Sequence, residues 1–353
     1  MNFQEETNEA IALLQQMIAI PSFSREEQTV ADFLERYIEL KGYVVSRKEN
    51  NIWMLSPGFD PNRPTILLNS HIDTVKPVSG CSRDAFSPII ENGKLFGLGS
   101  NDAGAGVVSL LYAFFYLTQQ QQAYNLIFSA SAEEEISGKN GIGCLLQELP
   151  RIDFALVGEP TAMNLAVAEK GLMVLDCVST GIAGHAARDE GENAIYKALS
   201  DIDWFKMYDF EKKSDLLGPV KMTVTQINAG TQHNVVPDKC TFVVDVRSNE
   251  MYSNEDILAE INARVDCEVT ARSTRLSSTA TPLDHPIVKR GQEINRALFG
   301  SPTLSDQALM PFPSLKIGPG ESNRSHTADE YILTSEIGNA IEIYIQLLDG
   351  LKI

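Results

Sequence analysis

Three short apolar runs each end in residues able to do chemistry. Residues 65–68 lead into Asn69-Ser70-His71-Ile72-Asp73, residues 125–129 into Glu133-Glu134-Glu135, and residues 154–157 into Gly158-Glu159-Pro160. If the runs are strands of an open α/β sheet, each delivers an imidazole or a carboxylate just past its carboxyl end, the edge where such sheets bind ligands. The His71-x-Asp73 spacing suits an imidazole whose second ring nitrogen is held by a carboxylate, although alone it reads as readily as a surface or capping pair. Asp102 lies among Gly97, Gly99, Gly104 and Gly106 ahead of an apolar stretch. It reads equally as a helix cap or as a carboxylate able to bridge two cations. The three glutamates would crowd like charge at a strand end unless something cationic faced them. His326 follows Gly318-Pro319-Gly320, a turn whose N–H groups could hold an anion. Two histidines with carboxylate oxygens and no thiolate fit zinc or cobalt, and four carboxylates could hold a pair of ions. Such a pair shares and acidifies a water, and a spare glutamate beside it serves as general base, so a two-metal hydrolase is the working expectation.

The elements that must position these groups follow from periodicity. Helical spacing predicts a helix over 7–18, and a second after the Ser24/Glu27 capping-box pattern, with Gly42 at its end. Helical stretches at 103–117 and 142–148 alternate with the three apolar runs, which predicts an α/β sheet with buried strands. From Lys170 the order becomes strand 172–178, helix 193–206, strands 220–227 and 240–246, helix 255–265 and strand 268–272, the β-α-β-β-α-β series of a ferredoxin-like domain. Helix 290–299, strand 314–317 and helix 335–348 are expected to complete the first domain. The expected organisation is therefore a catalytic domain of residues 1–169 plus 277–353 with 170–276 inserted. His233 and His285 fall outside the chemical pattern, His285 as a loop residue.

Composition narrows the function. Against 47 Asp and Glu stand 29 Lys and Arg in 353 residues, a formal charge of −18. With no basic block, this balance argues against nucleic acid and anionic membranes as partners. The first residues, MNFQEETNEA, lack the pattern of a signal peptide, and no apolar run is long enough to span a bilayer. Cys81, Cys144, Cys177, Cys240 and Cys267 are scattered without a Cys-x-x-Cys pair, which predicts buried free thiols in a reducing cytoplasm.

The motifs together resemble the cocatalytic metallopeptidases that include acetylornithine deacetylase, succinyl-diaminopimelate desuccinylase and aminoacylase. The resemblance rests on Ser70-His71-Ile72-Asp73-Thr74-Val75, Gly97-x-Gly99-Ser100-x-Asp102, Ala132-Glu133-Glu134-Glu135, Val157-Gly158-Glu159-Pro160-Thr161, Gly184-His185-Ala186-Ala187-Arg188, Asn234-Val235-Val236-Pro237, Asp245-x-Arg247 and the segment 318–330. It implies a zinc-peptidase-like α/β catalytic domain carrying a ferredoxin-like lid and dimerisation domain. It implies two divalent ions, zinc or cobalt, bridged by Asp102, with His71 and Glu159 on one and Glu135 and His326 on the other. Asp73 would orient His71, Glu134 would be the general base, and His185 would donate to the oxyanion in the partner subunit's site of a homodimer. Asn234, Arg247, Gly318 and Gly320 would bind substrate. Ala103-Gly104-Ala105 stands where the family usually has Met-Lys-Gly, and Glu133 where Asp is common; both departures bear on substrate. The implied activity is hydrolysis of an N-acyl-L-amino acid of the acetyl- or succinyl-ornithine or citrulline type, in arginine or lysine biosynthesis. A di- or tripeptidase or carboxypeptidase of the same family, and a non-catalytic binding protein on this fold, are the alternatives.

Overall fold

The computed structural model describes residues 3–353, which form two compact units. One runs to Val167 and resumes over Ala280–Phe299 and Ser305–Ile353; the other is Ala168–Thr279 with Gly300–Leu304, the last piece lying outside the insertion read from sequence.

In the first unit, Thr65–His71 lies parallel between Asn125–Ser131 and Phe154–Val157, and Ser314–Lys316 continues the parallel set beyond Phe154–Val157. Asn51–Leu55 and then Ser46–Lys48 extend the other side antiparallel. Every residue of the two long parallel strands is buried, as a sheet covered on both faces requires. Leu67, Ile127, Ala155 and Val157 pack with Ile142 and Leu145 of a short helix on one face. Ala105–Thr118 covers the other, with Phe114 against Phe128, and packs on Gln4–Ile18 and Thr334–Leu348. Full burial of each large apolar side chain contributes roughly 1.5–3 kcal/mol, so residues 65–68 anchor a strand whose last three residues, Asn69, Ser70 and His71, are polar and equally buried.

Two local expectations need correction. The Ser24/Glu27 pattern is not a capping box: the helix is Gln28–Leu40 with no side-chain cap, and both residues bond elsewhere. The helix expected over 290–299 is instead Pro286–Glu293, capped by His285, whose ring accepts from Ile287 N–H. His285 is the loop residue expected, half-buried just ahead of the helix, and it also stacks on Phe154 at 4.4 Å. Pro at the first turn sets the helix start, Asn295 at φ 59° breaks it, and Leu298–Ser301 is extended.

In the second unit the strands Lys221–Ala229, Lys239–Arg247, Met173–Thr180 and Glu268–Ala271 lie side by side in that order, all antiparallel. With helices Ala194–Met207 and Asn254–Asn262 this is the ferredoxin-like arrangement. Alternate residues of Met173–Thr180 and Lys239–Arg247 face a core that includes Phe205, Phe242, Ile257 and Ile261. Asn193 caps the first helix and a Ser253–Asp256 capping box starts the second. Cys177, Cys240 and Cys267 are buried free thiols here; Cys81 and Cys144 of the first unit are only half-buried, contrary to expectation.

Candidate metal centre

The parallel strands end at one edge. Ile72 N–H donates to Ser131 O (2.8 Å) and Gly158 N–H to Asn69 O (2.7 Å), so the three following loops leave together. His71 closes the central strand, buried, with Nε2 3.2 Å from Asp102 Oδ1 and 3.9 Å from both Glu134 Oε2 and Glu159 Oε1. The more exposed His326 lies with Nε2 2.9 Å from Glu135 Oε2 and 3.7 Å from Asp102 Oδ2. The two oxygens of Asp102 thus each face a different histidine. Two overlapping groups could hold ions, His71 with Glu134 and Glu159, and His71 with Asp102 and Glu135, the ligand atoms of each within 4.8 Å of one another.

The donors fit a pair of divalent cations. Glu159 Oε1 is buried without a hydrogen-bond partner, which is costly for a carboxylate unless a cation meets it. The set is nitrogen and oxygen only, suited to borderline ions. Distance to His71 does not separate Glu134 from Glu159, so the resemblance, rather than spacing alone, assigns one as base and the other as ligand.

The electrostatics are those of crowded acids in a largely buried site. Burial, then Glu159, Asp306 and Glu135, holds the Glu134 carboxyl well above its usual range against the pull of His71. Burial and Asp102 push Glu159 up to about 8, and burial likewise raises Glu135. Burial alone would depress His71, but Glu134, Asp102, Asp73 and Glu159 outweigh it and raise the imidazole. Asp102 and Asp73 are lowered despite burial because His71 bonds both.

Supporting bonds surround these groups. His71 Nδ1 meets Asp73 by its main-chain oxygen (2.9 Å), the carboxylate standing 3.4 Å away. That carboxylate also anchors the glutamate turn: Oδ1 accepts Glu134 N–H (3.0 Å), and Oδ2 accepts Glu135 N–H (3.2 Å) and Ser24 Oγ–H (2.7 Å). Glu133 is buried at φ 54°, its N–H donating to Glu27 (3.1 Å) and its carboxylate accepting from Asn140 N–H (3.2 Å) and side chain (3.1 Å). It holds the turn and points away from chemistry. Gly318 has no free donor for an anion, since its N–H bonds Thr161 Oγ1 (3.1 Å), and a Cβ there would strike Glu159 O at 2.5 Å. Gly320, at φ 80°, is needed because a side chain would overlap Asn101.

Two buried acids escaped the sequence reading. Asp306, in Ser305-Asp306-Gln307, accepts from Asn69 Nδ2 (2.8 Å) and Ser131 Oγ (2.5 Å), and burial raises it to about 6. Glu330 accepts main-chain N–H groups of the Asp102 loop. Neither belongs to a spacing pattern; Glu330 is visible only as the last residue of the 318–330 motif.

The remaining candidates lie in the second unit. His185 is exposed on Gly184–His185, paired with Val235–Val236, and its Nδ1 accepts Ala187 N–H (3.1 Å). Asn234 O accepts Ala186 N–H (3.0 Å), which places Asn234 across from His185. A cavity of about 760 Å³ beside them is lined by Arg188, Asp189 and His233, among others. Arg247 is clamped by both oxygens of Asp245 (2.8 and 3.1 Å).

A strand-end histidine, His71, and a loop histidine, His326, meeting the two oxygens of Asp102 above a buried α/β sheet is an arrangement suited to a metal-dependent hydrolase. Residues 67–350 match the peptidase family M20/M25/M40, and the chain belongs to that family. It is 26% identical to a succinyl-diaminopimelate desuccinylase of Corynebacterium glutamicum, over 96% of this chain and 95% of the relative. It is 26% identical to an acetylornithine deacetylase of Proteus mirabilis, over 96% of both. Among solved structures, a tripeptidase from Staphylococcus aureus superposes with a TM-score of 0.77 at 19% identity, over 97% of each chain. A dinuclear metal-binding peptidase of the M20 family from Bacillus subtilis does so with a TM-score of 0.73 at 15% identity, over 98% of each. Among the described residues no helix is long and apolar enough to cross a membrane.

Proposed function

We propose that the protein hydrolyses the amide bond of an N-acyl-L-amino acid of the acetyl- or succinyl-ornithine or citrulline type, releasing a carboxylate and the free amino acid. The observation that carries the chemistry is Asp102 facing His71 with one oxygen and His326 with the other. Asp102 would be shared by two ions, zinc for preference and cobalt in its place, with His71 and Glu159 on one side and Glu135 and His326 on the other. Bound there, two divalent cations supply an acidified water and a polarised carbonyl. Glu134 takes the proton of the attacking water and carries it to the leaving nitrogen, so one residue serves as base and then as acid. Asp73 holds the turn that presents Glu134 and Glu135. The acyl-amino-acid reading is supported by the names of the two relatives above.

His185 is proposed as the oxyanion donor, acting across a homodimer, with Asn234 and Arg247 binding the substrate's polar groups. A lid and dimer role for the ferredoxin-like unit is supported by its edge strand Lys221–Ala229, largely exposed with Ile227 outward, and by exposed Tyr196 and Leu199 on its first helix. Five free thiols suit the reducing cytoplasm as its setting.

A panel of N-acetyl and N-succinyl derivatives of ornithine, citrulline, lysine and diaminopimelate, beside free di- and tripeptides, tests the reading. Turnover of one acyl amino acid at least tenfold above every peptide is expected. Peptide turnover with inert acyl amino acids overturns the substrate class, and no turnover at all in the metal-loaded protein overturns the enzyme reading.

A further inference from the structure

We propose that Glu330 is the positioning residue of the metal centre: its carboxylate gathers main-chain N–H groups of the loop carrying Asp102 and so fixes that aspartate between the two histidines. The inference rests on the reading of Asp102 as the residue shared by two cations. Glu330 Oε1 accepts Asn101 N–H (2.8 Å) and Asp102 N–H (2.9 Å), and Oε2 accepts Gly99 N–H (3.2 Å). Its own main-chain oxygen accepts Gly97 N–H (3.0 Å). A side chain only 4% exposed therefore spends its whole carboxylate on one four-residue stretch.

That stretch enters a single irregular π-type turn, Ser100–Gly104, closed by Gly104 N–H on Gly99 O (2.9 Å), with Asp102 itself in a non-helical conformation (φ −120°, ψ 99°). Gly97 and Gly99 have φ of 146° and 73°, and a Cβ on Gly99 would press Thr74 Cγ2 at 2.6 Å, so the loop is both irregular and tightly packed. Ala103 and Gly104 then lead into the helix Ala105–Thr118. Without a common acceptor, three N–H groups would be left inside the protein unpaired. Asn101 ties the same loop to Glu321 and Ser325, the latter adjoining His326. Glu330 itself lies four residues beyond His326, at the start of Tyr331–Leu333, which pairs with Lys94–Phe96. One short segment thus supplies His326 and the anchor of the Asp102 loop, and their separation is set by that segment rather than by distant packing. Glu330 touches no ligand side chain; it acts through the backbone.

The test is cobalt binding by the full chain, read by titration with CoCl₂ and by the visible absorption of the bound ions. In Glu330→Gln one acceptor oxygen becomes a donor that opposes an N–H, so the loop loses at least one of three bonds. Loss of such an outer partner typically weakens metal binding by about 10–100-fold. The expected result is cobalt affinity reduced by about that factor, with an altered absorption band, in a protein whose circular dichroism matches wild type. Asp329→Asn is the control, because Asp329 fastens a different loop through Ser82 and Arg83, and it should keep wild-type affinity. If Glu330→Gln does not fold, Glu330→Asp, which keeps the charge but is too short for all three donors, replaces it with the same expectation. Wild-type affinity and spectrum in the folded Glu330 variant, while Asp102→Asn loses cobalt, overturns this inference and leaves the metal centre standing. Equal weakening by Asp329→Asn also overturns it, since the effect would then belong to the whole segment. Failure of the wild-type protein to bind cobalt overturns the proposed function instead.

Discussion

The two units carry their chemistry in opposite ways. In the first, most candidate groups sit at a strand end or on a loop tied down by buried bonds, His71 by Asp73 O, the glutamate turn by the Asp73 carboxylate and Asp102 through Glu330, with His326 the more exposed exception. In the second, His185 lies on a two-residue strand at an exposed turn, with only Ala187 N–H on its ring. The difference teaches which part of such a catalyst must be built in advance. Acids packed together in a buried site repel one another, so their geometry has to be enforced by the fold. A single exposed side chain such as His185 meets no such crowding and needs no such enforcement.

Metal removal probes the first region with the largest effect. Dialysis against a strong chelator should abolish amide hydrolysis, and zinc or cobalt should restore it; elemental analysis should find two divalent ions per chain. Activity surviving in metal-free protein would break the contrast at its root.

His185→Ala probes the second region. As an oxyanion donor it should lower kcat by about 10²–10³-fold while leaving metal content and melting temperature unchanged, because the ring supports nothing buried. Mixed with Glu134→Gln chains under conditions that form heterodimers, it should recover about a quarter of wild-type activity, since half the dimers would each hold one intact site. Demonstrated heterodimers without recovery would remove the trans role.

Glu133→Gln sharpens the comparison within three residues. Its buried carboxylate accepts from Asn140 and serves the turn, so the expected loss is stability, on the order of 1–3 kcal/mol for disturbed buried bonds. The change in kcat should stay under about tenfold. Denaturant unfolding and steady-state rates separate the two.

His285 gives the smallest effect. Burial lowers its pKa below 6.5, so the neutral ring that caps Pro286–Glu293 and stacks on Phe154 is favoured in the folded state. As pH falls below 6.5 the unfolded chain takes up the proton first, so this contribution is full above 6.5 and lost toward the folded pKa. The melting-temperature gap between wild type and His285→Asn should be larger at pH 7.5 than at pH 5; a gap that widens with acid would reverse the sign.

Much of this architecture was legible because burial imposes pattern. The three apolar runs that end in His71, the glutamates and Glu159 read as strands, and the β-α-β-β-α-β order of the second unit followed from alternating periods. Boundaries moved where single residues decide them, as at Pro286 and Asn295. The candidate ligands could be picked out by motif, yet the bonds that support them could not. Ser24 and Glu27 imitate a capping box but bond Asp73, Asn50 and Glu133 across the fold. Asp306 and Glu330 meet their partners only after the chain has returned from more than 170 and 220 positions away, respectively. Gly318 looked like an anion turn because glycine exposes N–H groups in sequence, whereas in the fold its bareness admits the Glu159 backbone.

The central claim is that the carboxylates past the strand ends divide their labour, with Glu159 holding a cation and Glu134 moving a proton, although both lie 3.9 Å from His71 Nε2. Glu134→Gln measured for metal content and turnover on the same sample tests it most directly. Two ions per chain retained, with kcat lowered by about 10²-fold or more, is the predicted result. Loss of one ion from Glu134→Gln, or full occupancy with near wild-type turnover, would contradict it.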